Sequence, residues 1–552
     1  MARGLASISV RAPYSRNLYD LLGEQADRYG DDLAVIAGET RTSYAALRAR
    51  AAQVAGALRA SGIKRGDRVG LLIGNRVEWL EICFGAAALG AATVPFSTWS
   101  KQREIDFLLA DSRVHALFAV DRFGDQDYAS DLAALIPELR SMSPGKWRAD
   151  RYPLLESIVL VGSHSLPGAR SYSALVDAAP SLAEPPPPGE GARVNDDAIV
   201  LYTSGSTAYP KGVRLAQAAM IENGFNIGER QGLRPGDRVL LSLPLFWSYG
   251  SANAMCATLS HGATLVLQSR FEPAEALDII ERERCTAIYT LPAMTTALVT
   301  HPSFRPERTL TLRTGVTIGS PQDVTAAAES LGVREIGNVY GQTESYGNCC
   351  VTWHHWPLER RKQAQGPPLP GVTVRIVDPE TGALRPTGEV GMIEVTGNLT
   401  TGYDGESKSQ NAVAFTEDGY FRTGDLGRLT PEGDIQFVAR DSEMIKRAGI
   451  NIAPAEIEEL LQQHPSVALA GVAGAPDPEK GELIVAFVIP APGSAVNPEE
   501  LRAHCRELAS SYKTPDRIEL CTELPVTPTG KILRRELKEM AAAVAIRNVR
   551  GG

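Results

Sequence analysis

The chain has 552 residues, of which 43% are hydrophobic and 22% charged. One hydrophobic core does not organise a chain of that length, so two or more domains of ordinary globular composition are expected. The formal net charge of -9 disfavours a nucleic-acid partner, because phosphate backbones select basic faces, and an anionic substrate would need a local basic or dipolar pocket.

Taken in chain order, the first residues soon run into Arg11, Arg16 and Asp20 and lack the apolar stretch of a signal peptide. Thr42 and Ser43 can cap a helix, apolar residues recur at helical spacing from Ala46 to Leu58, and Gly62 can end it. Val69 to Ile73 reads as a buried strand, the stretch around Glu78 to Leu89 as a helix, and Ala92 to Val94 as another strand. This alternation predicts an α/β fold with largely parallel sheets. The apolar run from Cys83 to Phe96 is too short to span a bilayer, so no integral membrane segment is expected. Four prolines, Pro185 to Pro188, sit in a Pro- and Gly-rich linker, and Ala198 to Tyr202 reads as a strand directly after it. From Thr373 to Val395, short strands broken by Gly and Pro predict a more antiparallel, β-rich subdomain. Beyond residue 441 roughly a hundred residues remain, the size of an independent domain. No fixed-period repeat is found. The 7 cysteines include no C-x-x-C pair and read as buried or incidental thiols of a reducing compartment, which predicts a cytoplasmic protein.

Five segments carry candidate chemistry. Thr203 to Gly212 reads T-S-G-S-T-A-Y-P-K-G. Hydroxyls at Thr203, Ser204, Ser206 and Thr207 surround Gly205, and Lys211 adds a cation, a composition suited to phosphate oxygens. It is not a Walker A loop, because Pro210 and Gly212 stand where that motif needs Gly and Ser or Thr. Tyr340 to Glu344 reads Y-G-Q-T-E, an aromatic face followed by a hydroxyl and a carboxylate. Tyr420 to Gly427 reads Y-F-R-T-G-D-L-G and centres on Asp425. Arg440 opens R-D-S-E-M-I-K-R-A-G, and Pro528 to Lys531 reads P-T-G-K. Each alone also reads as a polar turn; their order along one chain gives them weight. Trp247 and Tyr249, in P-L-F-W-S-Y-G, read either as core aromatics or as pocket walls.

With these residues in place, the chain resembles the adenylate-forming superfamily over about residues 18–540. That group contains acyl-CoA synthetases, aryl-CoA ligases, firefly luciferase and nonribosomal peptide adenylation domains. The resemblance implies a large N-terminal domain, residues 1–441, built of α/β subdomains plus a β-rich one. A small mobile α+β domain, residues 442–552, would follow. It implies ATP, Mg2+ and coenzyme A as co-substrates and cofactors. Thr203, Ser204, Gly205, Ser206, Thr207 and Lys211 would hold phosphate. Tyr340 would stack on adenine, Thr343 would contact the α-phosphate and Glu344 would bind magnesium. Asp425 and Arg440 would bind the ribose, Ser442 would be the hinge and Gly449 would line the pantetheine tunnel. Lys531 would be the catalytic lysine. Trp247, Tyr249, Ile318, Gly319, Ser345, Tyr346 and Gly347 would line the acyl pocket.

The resemblance further implies an acid-thiol ligase that activates a hydrophobic carboxylic acid (fatty, alicyclic or aryl) as its acyl-adenylate. No acidic residue stands near Trp247 to pair a substrate amine, which disfavours an amino acid. No carrier domain follows Lys531, which favours free coenzyme A as acceptor. A separate carrier protein, a luciferase-like oxygenase and an inactive nucleotide-binding relative are the competing readings, and a homodimer is left open. Ala208, Trp247 and Ser442 depart from the commonest family residues.

Overall fold

A computed structural model describes residues 10–163, 166–180, 191–203, 210–447, 450–477, 480–509, 513–526 and 532–549, with a few side chains inside these ranges left aside. The chain divides into two compact units. The first comprises Met1–Thr373 and Val395–Phe421, and the second Val374–Glu394 and Arg422–Gly552.

The first unit is built on two eight-stranded sheets. One runs in the order Cys350–Val351, Glu335–Tyr340, Thr314–Thr317, Ala287–Tyr289, Arg238–Leu241, Thr264–Leu267, Leu33–Ala37, Thr40–Ser43. Its six central strands are parallel and only the two outermost pairs are antiparallel. The other begins with Tyr403–Asp404, Lys211–Ala216 and Asp197–Thr203. It continues in parallel through Ala92–Pro95, Arg68–Leu72, Ala116–Val120, Ser157–Val161 and Arg170–Ser171. Parallel strands buried on both faces carry continuous apolar runs, and Val69, Leu71, Leu72, Ala116–Val120 and Val239–Leu241 are all buried.

The expected early elements are present. Ser43 caps the helix Tyr44–Ala60 by accepting from the Ala46 N–H at 3.2 Å, and Gly62 follows it at φ 89°. The strands Arg68–Leu72 and Ala92–Pro95 flank the helix Val77–Ala88. The Pro-rich segment 181–190 lies outside the described residues. No described helix is long and apolar enough to cross a membrane. All seven cysteines are free, and six of them are buried.

The second unit holds most of a four-stranded sheet, ordered Val372–Val377, Gly391–Gly397, Phe421–Leu429, Ile435–Arg440. It also holds a five-stranded sheet around the antiparallel pair Val467–Asp477 and Gly481–Pro490, with helices Pro454–Gln462, Pro498–Leu508 and Arg534–Val549. Leu426 and Ala439 of the first of these sheets pack against Met444 and Ala453 in one small apolar cluster.

Candidate active site

In open parallel sheets, ligands gather where loops leave the carboxyl ends of strands. Three of the expected pocket segments leave one such edge. Pro244–Gly250 follows the strand Arg238–Leu241, Ile318 and Gly319 follow Thr314–Thr317, and Gly341–Gly347 follows Glu335–Tyr340. All three strands run in the same direction. The first loop is held by Asn75, which is buried. Its side-chain amide donates to the Leu243 and Gln268 carbonyls at 2.9 and 3.0 Å, and its Oδ1 accepts from the Leu245 N–H at 2.9 Å.

Trp247 is half-buried and meets Trp99 edge-on at 5.2 Å between ring centroids, with Phe246 completing the cluster. Tyr249 opens a π-helical turn, Tyr249–Met255, in which the Asn253 N–H reaches back five residues to the Ser248 carbonyl at 2.9 Å. Such turns are rare and concentrate at functional sites. The Tyr249 ring packs on Tyr289 at 5.2 Å. Its hydroxyl is buried and has no hydrogen-bond partner among the described residues. Burial, and then the neighbouring Tyr289, push its pKa well above the ordinary phenol range.

The Y-G-Q-T-E segment turns sharply after its strand. A side chain at Gly341 would come within 2.5 Å of the Asn348 Cα and 2.6 Å of the Gly347 carbonyl oxygen, so only glycine permits the turn. Thr343–Ser345 form a single 3-10 turn, with the Ser345 hydroxyl accepting from the Gln342 N–H at 3.1 Å. The Thr343 hydroxyl lies 3.2 Å from that of Ser248, which joins this segment to the Trp247–Tyr249 loop. Tyr346 is fully buried in the left-handed region at φ 58°, its hydroxyl bonded to the Ala216 N–H and the Leu399 carbonyl. Gly347 sits at φ 95°. Ile318 is 42% exposed.

Glu344 is buried, and its Oε1 accepts from the Tyr403 hydroxyl at 2.8 Å. Burial and the adjacent carboxylate raise the Tyr403 pKa, so the phenol stays protonated and donates. The Lys211 ammonium stands over the same ring, 5.2 Å from its centroid. Lys211 faces Thr203 across an antiparallel ladder, so the two ends of the candidate phosphate loop are pinned together beside Glu344. Ser204, Gly205, Ser206 and Thr207 lie outside the described residues. Among the described residues no group of three or more His, Cys, Asp or Glu side chains gathers to hold a metal. Among the described residues Glu344 offers an oriented, hard oxygen donor at this edge, which fits a divalent cation completed by phosphate oxygens and water.

Removing the hydroxyl that orients Glu344 tests this reading. Tyr403→Phe is expected to lower activity about 10-fold, the lower end of what outer-shell partners of a metal ligand contribute. The magnesium requirement should rise while thermal stability changes little. A magnesium titration with unchanged midpoint would remove Tyr403 from the site.

Asp425 and Arg440 belong to the second unit. They face each other across the antiparallel pair Phe421–Leu429 and Ile435–Arg440, and the Arg440 Nε donates to Asp425 Oδ1 at 2.9 Å. Asp425 is buried, whereas the Arg440 side chain is 48% exposed. Ser442 falls in the 3-10 turn Asp441–Glu443. Gly449 and Lys531 lie outside the described residues. The residues flanking Lys531 are anchored. Val526 and Ile532 form an antiparallel bridge, and Arg534 makes a forked pair with the buried Glu458, one arm at 2.8 Å. Arg534 also lies 3.7 Å from Glu443, beside the expected hinge.

Sequence reasoning missed Asn75, Ser248 and Tyr403. Ser248 could have been found, since it lies between two residues already singled out. Tyr403 could not, because it sits in a two-residue strand, 59 residues from Glu344 in sequence, with no motif around it.

Two α/β sheets whose loops bring together hydroxyls, a lysine and an oriented carboxylate define an α/β enzyme with a polar candidate site beside a cluster of aromatic side chains. The chain belongs to the family of AMP-binding enzymes, whose model matches residues 22–403, with the C-terminal domain of the same enzymes matching residues 456–531. This is the adenylate-forming superfamily in its acyl-CoA ligase branch, the AMP-forming acid-CoA ligases. The chain is 33% identical over 508 residues to a feruloyl-CoA synthase of Amycolatopsis sp, covering 92% of this chain and 95% of the relative. It is 30% identical over 533 residues to the mitochondrial medium-chain acyl-CoA ligase ACSF2 of Bos taurus, covering 94% and 86%. The crystal structure of the anthranilate CoA ligase AuaEII in complex with anthranoyl-AMP superimposes with a TM-score of 0.84 at 27% identity, covering 97% of this chain and 99% of that one.

Proposed function

We propose that the enzyme activates a hydrophobic carboxylic acid with ATP and passes the acyl group to the thiol of coenzyme A. The single observation that carries this reading is the cluster Thr203, Lys211, Tyr403, Glu344, Thr343 and Ser248, which links the ends of a phosphate-type loop to the aromatic segment Trp247–Tyr249 through named contacts. In the first step a carboxylate oxygen attacks the α-phosphorus of ATP and the bond to the β-phosphate oxygen breaks. Pyrophosphate leaves and acyl-AMP remains. Lys211, Lys531 and the Thr343 hydroxyl supply charge and hydrogen bonds where negative charge develops. Magnesium held by Glu344 would neutralise phosphate charge. Tyr340 is read as the adenine platform, and Asp425, oriented by Arg440, as the acceptor of the ribose hydroxyls. In the second step the thiol sulfur attacks the acyl carbon, AMP leaves with one carboxylate oxygen, and the thiol proton is released. A domain division at 441/442, with Ser442 as hinge and Gly449 on the pantetheine path, would separate the two steps.

The acid itself is read from Trp247, Trp99, Tyr249 and Ile318, which favour an apolar or aromatic body. The unpartnered Tyr249 hydroxyl favours an acid that also carries a hydrogen-bonding substituent, because a buried unmade bond costs about 1–3 kcal/mol. The relatives fit both ends of this range: one is a feruloyl-CoA synthase, another a medium-chain acyl-CoA ligase. A pyrophosphate-release screen over aliphatic, alicyclic and hydroxylated aromatic acids tests the reading. Magnesium-dependent release is expected with at least one acid, and Tyr249→Phe should reduce kcat/KM about 10-fold for a substituted acid and hardly at all for its unsubstituted analogue. Absence of release with every acid would sink the ligase reading. Comparing coenzyme A with a phosphopantetheinylated carrier protein, at equal thiol concentration, decides the acceptor.

A further inference from the structure

A cavity of about 530 Å³ opens on the first unit among residues that the proposed chemistry does not use. Its wall includes Arg68, Asp111, Arg113, His115, Asp404 and Lys408, with Leu154 the one apolar side chain. Several of these groups are already satisfied. Arg68 is paired with Asp404 and donates to the Ser112 carbonyl at 2.9 Å. His115 accepts from the Arg68 N–H through Nδ1 at 3.2 Å, and its Nε2 lies 3.4 Å from Asp67. Asp111 accepts from the Tyr202 hydroxyl at 2.6 Å and is tucked against the backbone of Gly405.

Two cations are left over. The Arg113 guanidinium and the Lys408 ammonium are exposed and, among the described residues, have neither an ion-pair nor a hydrogen-bond partner. Arg113 ends the helix Gln102–Ser112 in the left-handed region, at φ 56°, a common way for a helix to stop. The cavity therefore presents a planar fork and an ammonium around a volume in the range of small-molecule sites, while the Asp111 and Asp404 carboxylates on the same wall are already engaged by Tyr202 and Arg68. A fork beside a point charge is the donor set that recognises a phosphoryl group.

We propose that this cavity binds a compact phosphate-bearing anion, held by Arg113 and Lys408. The site is separate from the ligase reading and does not depend on it. It adjoins that machinery through two neighbours in sequence: Tyr202, bonded to Asp111, precedes Thr203, and Asp404 follows Tyr403.

The test is direct binding, by calorimetry or phosphorus NMR, of inorganic phosphate and of a hexose phosphate to the full chain. At least one should bind with a Kd of about 1 mM or tighter. The paired substitution Arg113→Asn and Lys408→Gln should weaken that binding at least about 10-fold. Asparagine tolerates the left-handed backbone and Lys408 is exposed, so circular dichroism and Tm should be unchanged. If the pair does not fold, Lys408→Glu alone serves the same comparison. Equal affinity for both probes assigns free phosphate as the ligand, and tighter binding of the hexose phosphate assigns a phosphorylated metabolite. Failure of both probes to bind overturns the proposal. So does undiminished binding by the variant, since phosphate would then be held elsewhere, the Thr203–Lys211 loop included.

Discussion

Lys531→Ala is expected to slow acyl-adenylate formation by about 10²–10³-fold while leaving thioester formation from supplied acyl-adenylate largely intact. An ammonium placed at developing phosphoryl charge contributes on the scale of one preorganised donor, and that contribution is confined to the step in which the charge develops. The described residues on either side of Lys531 are anchored. Val526 and Ile532 pair on either side of it, the Leu533 N–H donates to the Pro525 carbonyl at 2.8 Å, and Arg534 is clamped on Glu458. Separate assays of the two half-reactions check this: pyrophosphate release from acid and ATP, and thioester from synthetic acyl-AMP. Equal loss in both would mean that Lys531 supports the fold or the nucleotide site generally.

Glu344→Gln is expected to reduce pyrophosphate release by at least about 10²-fold at millimolar magnesium, with partial recovery as magnesium is raised. Glutamine keeps an oxygen that can accept from Tyr403, so the side chain stays in place and the missing quantity is charge. A structural role for the carboxylate would instead appear as a lowered Tm with an unaltered magnesium midpoint. The comparison with Tyr403→Phe sharpens the assignment. The two single variants touch one carboxylate, so their effects should be less than additive when combined.

Local chemistry made much of the fold legible in advance. The helix Tyr44–Ala60 followed from its Ser43 cap and Gly62, and the strands at Arg68–Leu72, Ala92–Pro95 and Asp197–Thr203 from short apolar runs between turns. What periodicity could not supply was the partner of each strand. The strand Leu33–Ala37 pairs with Thr264–Leu267, over 200 residues away, and nothing local encodes that choice. The same holds at the candidate site. Thr343, Glu344 and Lys211 were legible because a hydroxyl, a carboxylate and a lysine stand in recognisable order. Tyr403 and Asn75 were not, because a second-layer residue is defined by what it touches. Neither the phenol on Glu344 nor the amide bridging Leu243, Leu245 and Gln268 has a local signature. Tyr346 shows the converse: it was legible as an aromatic beside the pocket glycine, and its hydroxyl is engaged by the Ala216 and Leu399 backbone.

In the proposed first step the acid's own oxygen attacks the α-phosphorus of ATP. Incubating the enzyme with magnesium ATP, coenzyme A and an acid labelled with heavy oxygen in its carboxylate, then weighing the products by mass spectrometry, tests it most directly. One labelled oxygen is expected in AMP, none in pyrophosphate, and an acyl thioester in equal amount. Label in ADP, phosphate or pyrophosphate, or an unlabelled AMP formed alongside the thioester, would contradict it.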